Sequence, residues 1–151
     1  MPPRIFQKVI IYIDGGSRNN PGPAAFGVVF TKENGEIFKK YSQYIGEATN
    51  NEAEYQGLIF ALKKAKALFG KERIKSLPIE VRSDSELLIK QMKGEYKIKN
   101  PKIQPLFLKA WNLKIDFKNL VFSLIPREMN KEADQLVNET LDARTKPQKL
   151  F

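Results

Sequence analysis

The chain has 151 residues, 42% of them hydrophobic, with 26 Lys and Arg against 17 Asp and Glu, no histidine and no cysteine. That length fits one domain with a sizeable core, and no apolar run approaches the ~20 residues of a membrane helix. The absent residues exclude disulfides, thiolate nucleophiles, Cys-based metal sites, the Ser-His-Asp triad and the H-E-x-x-H zinc site, so a catalytic metal would need oxygen ligands, which favours Mg²⁺ or Mn²⁺. The net charge of +9 points to a polyanionic partner. The start, MPPRIFQ, lacks the apolar stretch of a secretory signal, so a cytoplasmic monomer is expected.

Val9 to Ile13 reads as a first strand running into a turn at Asp14-Gly15-Gly16, and Asn19 to Pro23 reads as a loop. Phe26 to Thr31 and Ile37 to Tyr44 are a second and third strand joined by a hairpin at Asn34-Gly35. The period then changes. Tyr55, Leu58, Ile59, Leu62, Ala65 and Phe69 mark one face of a helix that Thr49, Asn50 or Asn51 starts and Gly70 ends. Pro78 to Ser83 is a fourth strand, followed by a short helix from about Ser85 to Met92. Ile103 to Trp111 is helical by spacing, Leu120 to Ile125 is a fifth strand, and Ala133 to Leu141 mark a last helix. The order βββαβααβα predicts an α/β fold with one mixed sheet, three strands antiparallel and two parallel, and helices on both faces. It also predicts a single domain over 1–151, with its core at about 9–143 between a short N-terminal extension and a C-terminal tail.

Asp14 and Asp84 fall at the ends of the first and fourth strands, where parallel neighbours form ligand sites. Glu54 and Asp134 fall in the first turns of two helices, whose positive ends favour anions. Four packed carboxylates repel one another, and two divalent ions about 3.5–4 Å apart would remove that cost and clamp a phosphodiester. Taken singly, each residue is equally explained as a turn residue or a helix-dipole partner. Lys90, Lys93, Lys97, Lys99 and Lys102, with Tyr96 among them, read either as a phosphate-tracking surface or as a solvated helix end.

Over Val9 to Leu141 the chain resembles the type 1 ribonuclease H family, through IDGGSRNNPGPAAFG (Ile13 to Gly27), TNNEAEY (Thr49 to Tyr55), SDSELLIKQMKGEY (Ser83 to Tyr96) and PREMNKEAD (Pro126 to Asp134). The resemblance implies a ribonuclease H-like fold and an endonuclease that hydrolyses the RNA strand of RNA–DNA hybrids, leaving 5′-phosphate and 3′-hydroxyl ends. It implies that Asp14, Glu54, Asp84 and Asp134 hold two Mg²⁺ ions, with Mn²⁺ a substitute. Glu52 is the neighbouring decoy, since at 3.6 residues per turn it points about 200° away from Glu54. The resemblance further assigns the backbone of Gly15, Gly16 and Ser17, with Asn20 and Asn50, to reading RNA 2′-hydroxyls. Thr49, with Asn100, is assigned to a DNA-strand phosphate.

Three departures accompany the match. Arg127 stands where many members place a histidine, and it stays protonated, so its role there is electrostatic rather than that of a base. Its bland alternative is a surface ion pair with Glu128 or Glu132. Glu86 replaces a frequent Gln, and Gly94 to Ile103 is too short for the extra helix and basic protrusion of some bacterial members. The rival readings are a catalytically silent binding module, another nuclease of the wider superfamily, and a domain cut from a reverse transcriptase. The initial Met and short lead-in favour a stand-alone enzyme.

Overall fold

Val9, Ile11 and Ile13 project to one side of the first strand, as the two-residue period requires, and all three are fully buried. That strand, β1 (Val9–Ser17), pairs antiparallel with β2 (Gly22–Lys32), which pairs antiparallel with β3 (Ile37–Ala48). On its other edge β1 pairs parallel with β4 (Ile79–Ser83), and β4 with β5 (Leu120–Leu124), giving the order β3-β2-β1-β4-β5. The helices are α1 (Asn50–Phe69), α2 (Glu86–Met92), α3 (Gln104–Ile115) and α4 (Lys131–Thr145), so the expected order βββαβααβα and the expected mixed sheet are found. The computed structural model describes residues 7–145. The expected N-terminal extension and C-terminal tail lie largely outside these described residues.

The two faces of the sheet are unequal. On one, α1 and α3 cover the large core, where Tyr55, Leu58 and Leu62 meet Ile11, Ile13, Phe30 and Val81. On the other, α4 crosses β1, β2 and β3 over a small core of Ala25, Val137 and Leu141. Among the described residues no helix is long and apolar enough to cross a membrane.

The strand bounds differ from the sequence reading in one instructive place. The expected turn at Asp14-Gly15-Gly16 is strand, with Asp14 opposite Gly27 and Ser17 opposite Ala24, and β2 correspondingly begins at Gly22. Two glycines there answer to helices rather than to a turn. A Cβ on Gly15 would lie 2.5 Å from the Glu54 amide nitrogen of α1, and one on Gly27 2.5 Å from the Ala133 carbonyl oxygen of α4. Each therefore allows a helix N-terminal turn to rest directly on the backbone of the sheet. Residues 93–103 contain no helix, in keeping with the expected lack of a protrusion.

Gly27→Ala forces α4 off the sheet and is expected to cost about 1–3 kcal/mol, the usual range for overpacking. Urea denaturation checks this, and an unchanged midpoint would mean that α4 adjusts freely.

Candidate active site

β1 and β4 run in a constant register, Val9 with Ile79 through to Tyr12 with Arg82. Two residues further along, the same offset sets Asp14 level with Asp84, each just past the end of the shared ladder. Asp84 follows the last residue of β4, and the next residue, Ser85, caps α2 by accepting from the Leu88 amide at 3.2 Å. Asp84 is thereby held in a one-residue joint between two elements.

Helix starts supply the other two carboxylates. Thr49 and Glu52 form a capping box, with the Glu52 amide donating to Thr49 Oγ1 at 3.1 Å and the Thr49 amide to Glu52 Oε1 at 2.9 Å. That bond occupies Glu52 and leaves Glu54, two residues on, to face the cleft. Asp134 is the fourth residue of α4, and its amide donates to the Asn130 carbonyl at 3.1 Å. Asp14, Glu54, Asp84 and Asp134 line one cleft of about 370 Å³ together with Gly15, Gly16, Ser17, Asn50 and Arg127.

The electrostatics of this cleft are severe. Burial, then the charges of Asp84 and Asp134, push the Asp14 carboxyl up to about 8. Burial and the charges of Asp14 and Asp84 raise Glu54 well above the usual carboxylate range, against a hydrogen bond from the Gly15 amide. Glu54 Oε2 is buried and has no hydrogen-bond partner, the condition of an acceptor that lacks its cation. Asp14 and Asp134 thus face each other as like charges across the cleft, a juxtaposition that favours a proton or a cation on this cluster.

The other charges are met by neutral or cationic neighbours. Asn130 Nδ2 donates both to the Ile13 carbonyl at 2.9 Å and to Asp84 Oδ1 at 3.0 Å, joining β1 to the Asp84 joint. Asn138 Nδ2 reaches Asp134 Oδ2 at 3.4 Å, and Arg127 Nε lies 3.8 Å from Asp84 Oδ2. Arg127 thus leans on the cleft, while Glu132 pairs with Lys40 at 3.1 Å. With these partners in place, no three carboxylates among the described residues close around one point as a formed metal site would. The donor set nevertheless fits a hard divalent cation: its side-chain carboxylates are oxygen ligands, one buried oxygen is orphaned, and the mutual repulsion of the cluster raises Asp14 for want of positive charge.

The remaining expected residues divide. Asn50 Oδ1 accepts from the Ser17 amide at 2.7 Å and the Asn50 amide donates to Asn20 Oδ1 at 2.9 Å, so Ser17, Asn20 and Asn50 form one knot at the rim. Thr49 serves the α1 cap and stands outside the cleft lining. Asn100 is also outside it, accepting from the Lys102 amide at 2.9 Å and, through its carbonyl, from Ile103 and Gln104 at the start of α3. Sequence reasoning missed Asn130, 1% exposed, because one Asn before a helix reads as a cap. Glu86 accepts from the Tyr96 hydroxyl at 3.0 Å, and Lys90 lies 5.2 Å over the Tyr96 ring. The lysine-rich stretch is therefore tied to α2 beside Asp84.

The family model described as reverse transcriptase-like matches residues 12–140. A bifunctional protein of Mycobacterium tuberculosis is 42% identical over 137 residues, 90% of this chain and 36% of that protein. A ribonuclease HI of Halobacterium salinarum is 42% identical over 135 residues, 89% of this chain and 65% of that protein. The chain thus spans about a third of the first of these relatives and just under two thirds of the second. Among solved structures, the LC11 ribonuclease H1 in complex with an RNA/DNA hybrid is 49% identical, with a TM-score of 0.86 over 91% of this chain and 99% of that one.

Because the Asp14 carboxyl has a raised value when folded, it costs nothing below pH ~4, where both states are protonated, and destabilises increasingly from there to about pH 8. In EDTA, Asp14→Asn is expected to melt like the wild type at pH 4 and at least ~3 °C higher at pH 8, about 1 kcal/mol. Equal melting temperatures at pH 8 would show that the crowding carries no cost. Sequence match, mixed-sheet topology and fold agreement over nine-tenths of its length make this chain a member of the type 1 ribonuclease H family.

Proposed function

We propose that this chain is an endonuclease that hydrolyses the RNA strand of RNA–DNA hybrids, leaving 5′-phosphate and 3′-hydroxyl ends. The observation that carries this reading is the convergence of Asp14, Glu54, Asp84 and Asp134 on one cleft, with an orphaned buried Glu54 oxygen, beside a rim rich in backbone amides. The relative solved with an RNA/DNA hybrid supports the substrate class. On this reading the domain comprises the whole chain and acts as a monomer in the cytoplasm.

Asp14, Glu54, Asp84 and Asp134 would hold two divalent ions, Mg²⁺ with Mn²⁺ as substitute, which when bound supply charge neutralisation for an in-line phosphodiester displacement. The protein's own part is positional. Asn130 fixes the Asp84 carboxylate relative to β1, and the Gly15 contact fixes the height of Glu54. The Ser17 amide and hydroxyl hold Asn50 Oδ1, which leaves the side-chain Nδ2 hydrogens of Asn50 to donate to a 2′-hydroxyl at the rim. Asn20 fixes the Asn50 backbone and so takes part through it. Thr49, at the same helix start, and Asn100, at the start of α3, would meet the DNA strand. The lysines around Tyr96, next to α2, would follow phosphates of the bound hybrid. Arg127, 89% exposed and aimed at Asp84, would hold the scissile phosphate or draw the cleaved phosphate out.

Labelled RNA–DNA hybrid, incubated with Mg²⁺ or with EDTA, tests the assignment: cleavage only with the metal is expected, and only of the RNA strand. In the same assay Glu54→Gln should lose activity by more than ~10³-fold. Glu52→Gln should stay within about tenfold, since the glutamine oxygen can still accept from the Thr49 amide and no ligand is lost. The reverse ranking would sink the assignment of Glu54. For Arg127, steady-state kinetics of Arg127→Ala should show turnover reduced by about 10²-fold or less, with Arg127→Lys partly active. Unchanged turnover in a folded Arg127→Ala protein would reduce the arginine to a surface charge.

A further inference from the structure

Residues 93–100 form neither helix nor strand, and Lys93, Tyr96, Lys97 and Lys99 are all exposed. A segment so built has little of its own to hold it in one conformation. Two glutamine side chains supply the hold. Gln91 Nε2 donates to the Lys97 carbonyl at 3.2 Å, and Gln104 Nε2 donates to the Ile98 carbonyl at 3.1 Å. Consecutive carbonyls are thus pinned from α2 and from α3. The two amides differ in what stands behind them. Gln104 is exposed at the start of α3, whereas Gln91 is 5% exposed and its Oε1 accepts from the Tyr55 hydroxyl at 2.7 Å. The Lys97 carbonyl requires the Nε2 end of the amide, which leaves Oε1 to the hydroxyl and fixes the orientation. Burial raises the Tyr55 pKa, so the phenol keeps its proton and remains a donor. Tyr55 adjoins Glu54, and α2 begins two residues after Asp84, so these bonds join the elements of the carboxylate cleft to the lysines.

We propose that Gln91 is a positioning residue for hybrid binding, which holds Lys97 and Lys99 in place relative to the cleft so that phosphates meet lysines already ordered. This inference rests on reading those lysines as phosphate contacts. The need for an amide is not one of packing, since Leu88, Ile89 and Met92 fill the neighbouring buried positions of α2 with apolar side chains. A buried amide satisfied at both ends adds little stability over such a side chain, but it adds a fixed direction. Preordering acts on affinity, because a segment held beforehand does not lose its freedom on binding. Both polar ends of Gln91 are engaged away from the four carboxylates, so the effect falls on binding rather than on turnover.

The test is Gln91→Met, which keeps the length of the side chain and loses both bonds. Steady-state cleavage of labelled hybrid gives KM and kcat, and anisotropy in EDTA gives Kd without cleavage. KM and Kd are expected to rise at least about fivefold, with kcat within about twofold and a shallower dependence of Kd on salt. Gln91→Met combined with Tyr55→Phe separates positioning from stability. Removing both buried partners should restore most of the melting temperature that the single change loses, while KM stays raised because the Lys97 carbonyl is still unheld. In a protein carrying Lys97→Ala and Lys99→Ala, itself binding at least about fivefold more weakly, Gln91→Met should add less than about twofold. Recovery of KM together with the melting temperature would make Gln91 structural only and overturn the proposal. So would an equal loss from Gln91→Met with and without the two lysines. If removing the lysines leaves Kd unchanged, the reading of them as phosphate contacts fails and the proposal with it. If they matter and Gln91→Met does not, the proposal alone fails.

Discussion

Negative charge gathered at short range around the buried Asp14 carboxylate is the constraint around which this molecule is arranged. Asp14 is 9% exposed and stands among three other carboxylates, so its ionised form is disfavoured by burial before repulsion is added. Nothing in the core requires such a cluster, and burying it weakens the fold wherever it is charged. The surrounding devices make sense as means of holding it anyway. Two helices arrive N-terminus first, an asparagine bridges a strand to Asp84, and two glycines let those helices rest against bare backbone.

The unequal faces of the sheet share this work. The large core under α1 sets the sheet rigidly, with Ile11, Ile13, Val81 and Phe122 aligned across three strands. From that face Tyr55, the neighbour of Glu54, donates its hydroxyl to Gln91 Oε1 at 2.7 Å, and Gln91 Nε2 donates to the Lys97 carbonyl at 3.2 Å. A buried polar link thus ties α1 to the lysine-rich segment after α2. On the opposite face the cover is thinner, and Glu80 there relies on ion pairs with Lys8 at 3.0 Å and Arg82 at 2.8 Å, which hold its carboxyl at about 2. Glu80 thus has a cation on either side, which Asp14 and Glu54 in the carboxylate cleft lack.

Much of this was legible in the sequence because the relevant signals are periodic or local. Short β-rich runs bounded by turn residues marked the strands, the i, i+3, i+4 spacing of Tyr55, Leu58, Ile59 and Leu62 marked α1, and strand–helix order allowed the first and fourth strands to be parallel neighbours, as they are. The family motif singled out Glu54, helical rotation required that only one of Glu52 and Glu54 face the site, and the capping box adds the physical reason that Glu52 is occupied elsewhere. What could not be read depends on partners distant in the chain. Gly15 and Gly16 read as a turn because glycine usually does, and only the packing of α1 reveals that one of them serves close approach. Asn130 bonds to Ile13, 117 positions away, and no local pattern distinguishes such a residue from a cap.

That separation bears on how the protein comes into being. Three of the four cleft carboxylates are supplied by β1, α1 and the end of β4, but the fourth, and the asparagine that steadies Asp84, belong to the start of α4. Synthesis proceeds from the N-terminus, and the last helix covers a sheet whose five strands have all been made before it. A growing chain therefore carries an incomplete cleft until α4 has left the ribosome and docked. The molecule is born without its full charge cluster, and the docking of one late helix sets the moment at which that cluster exists.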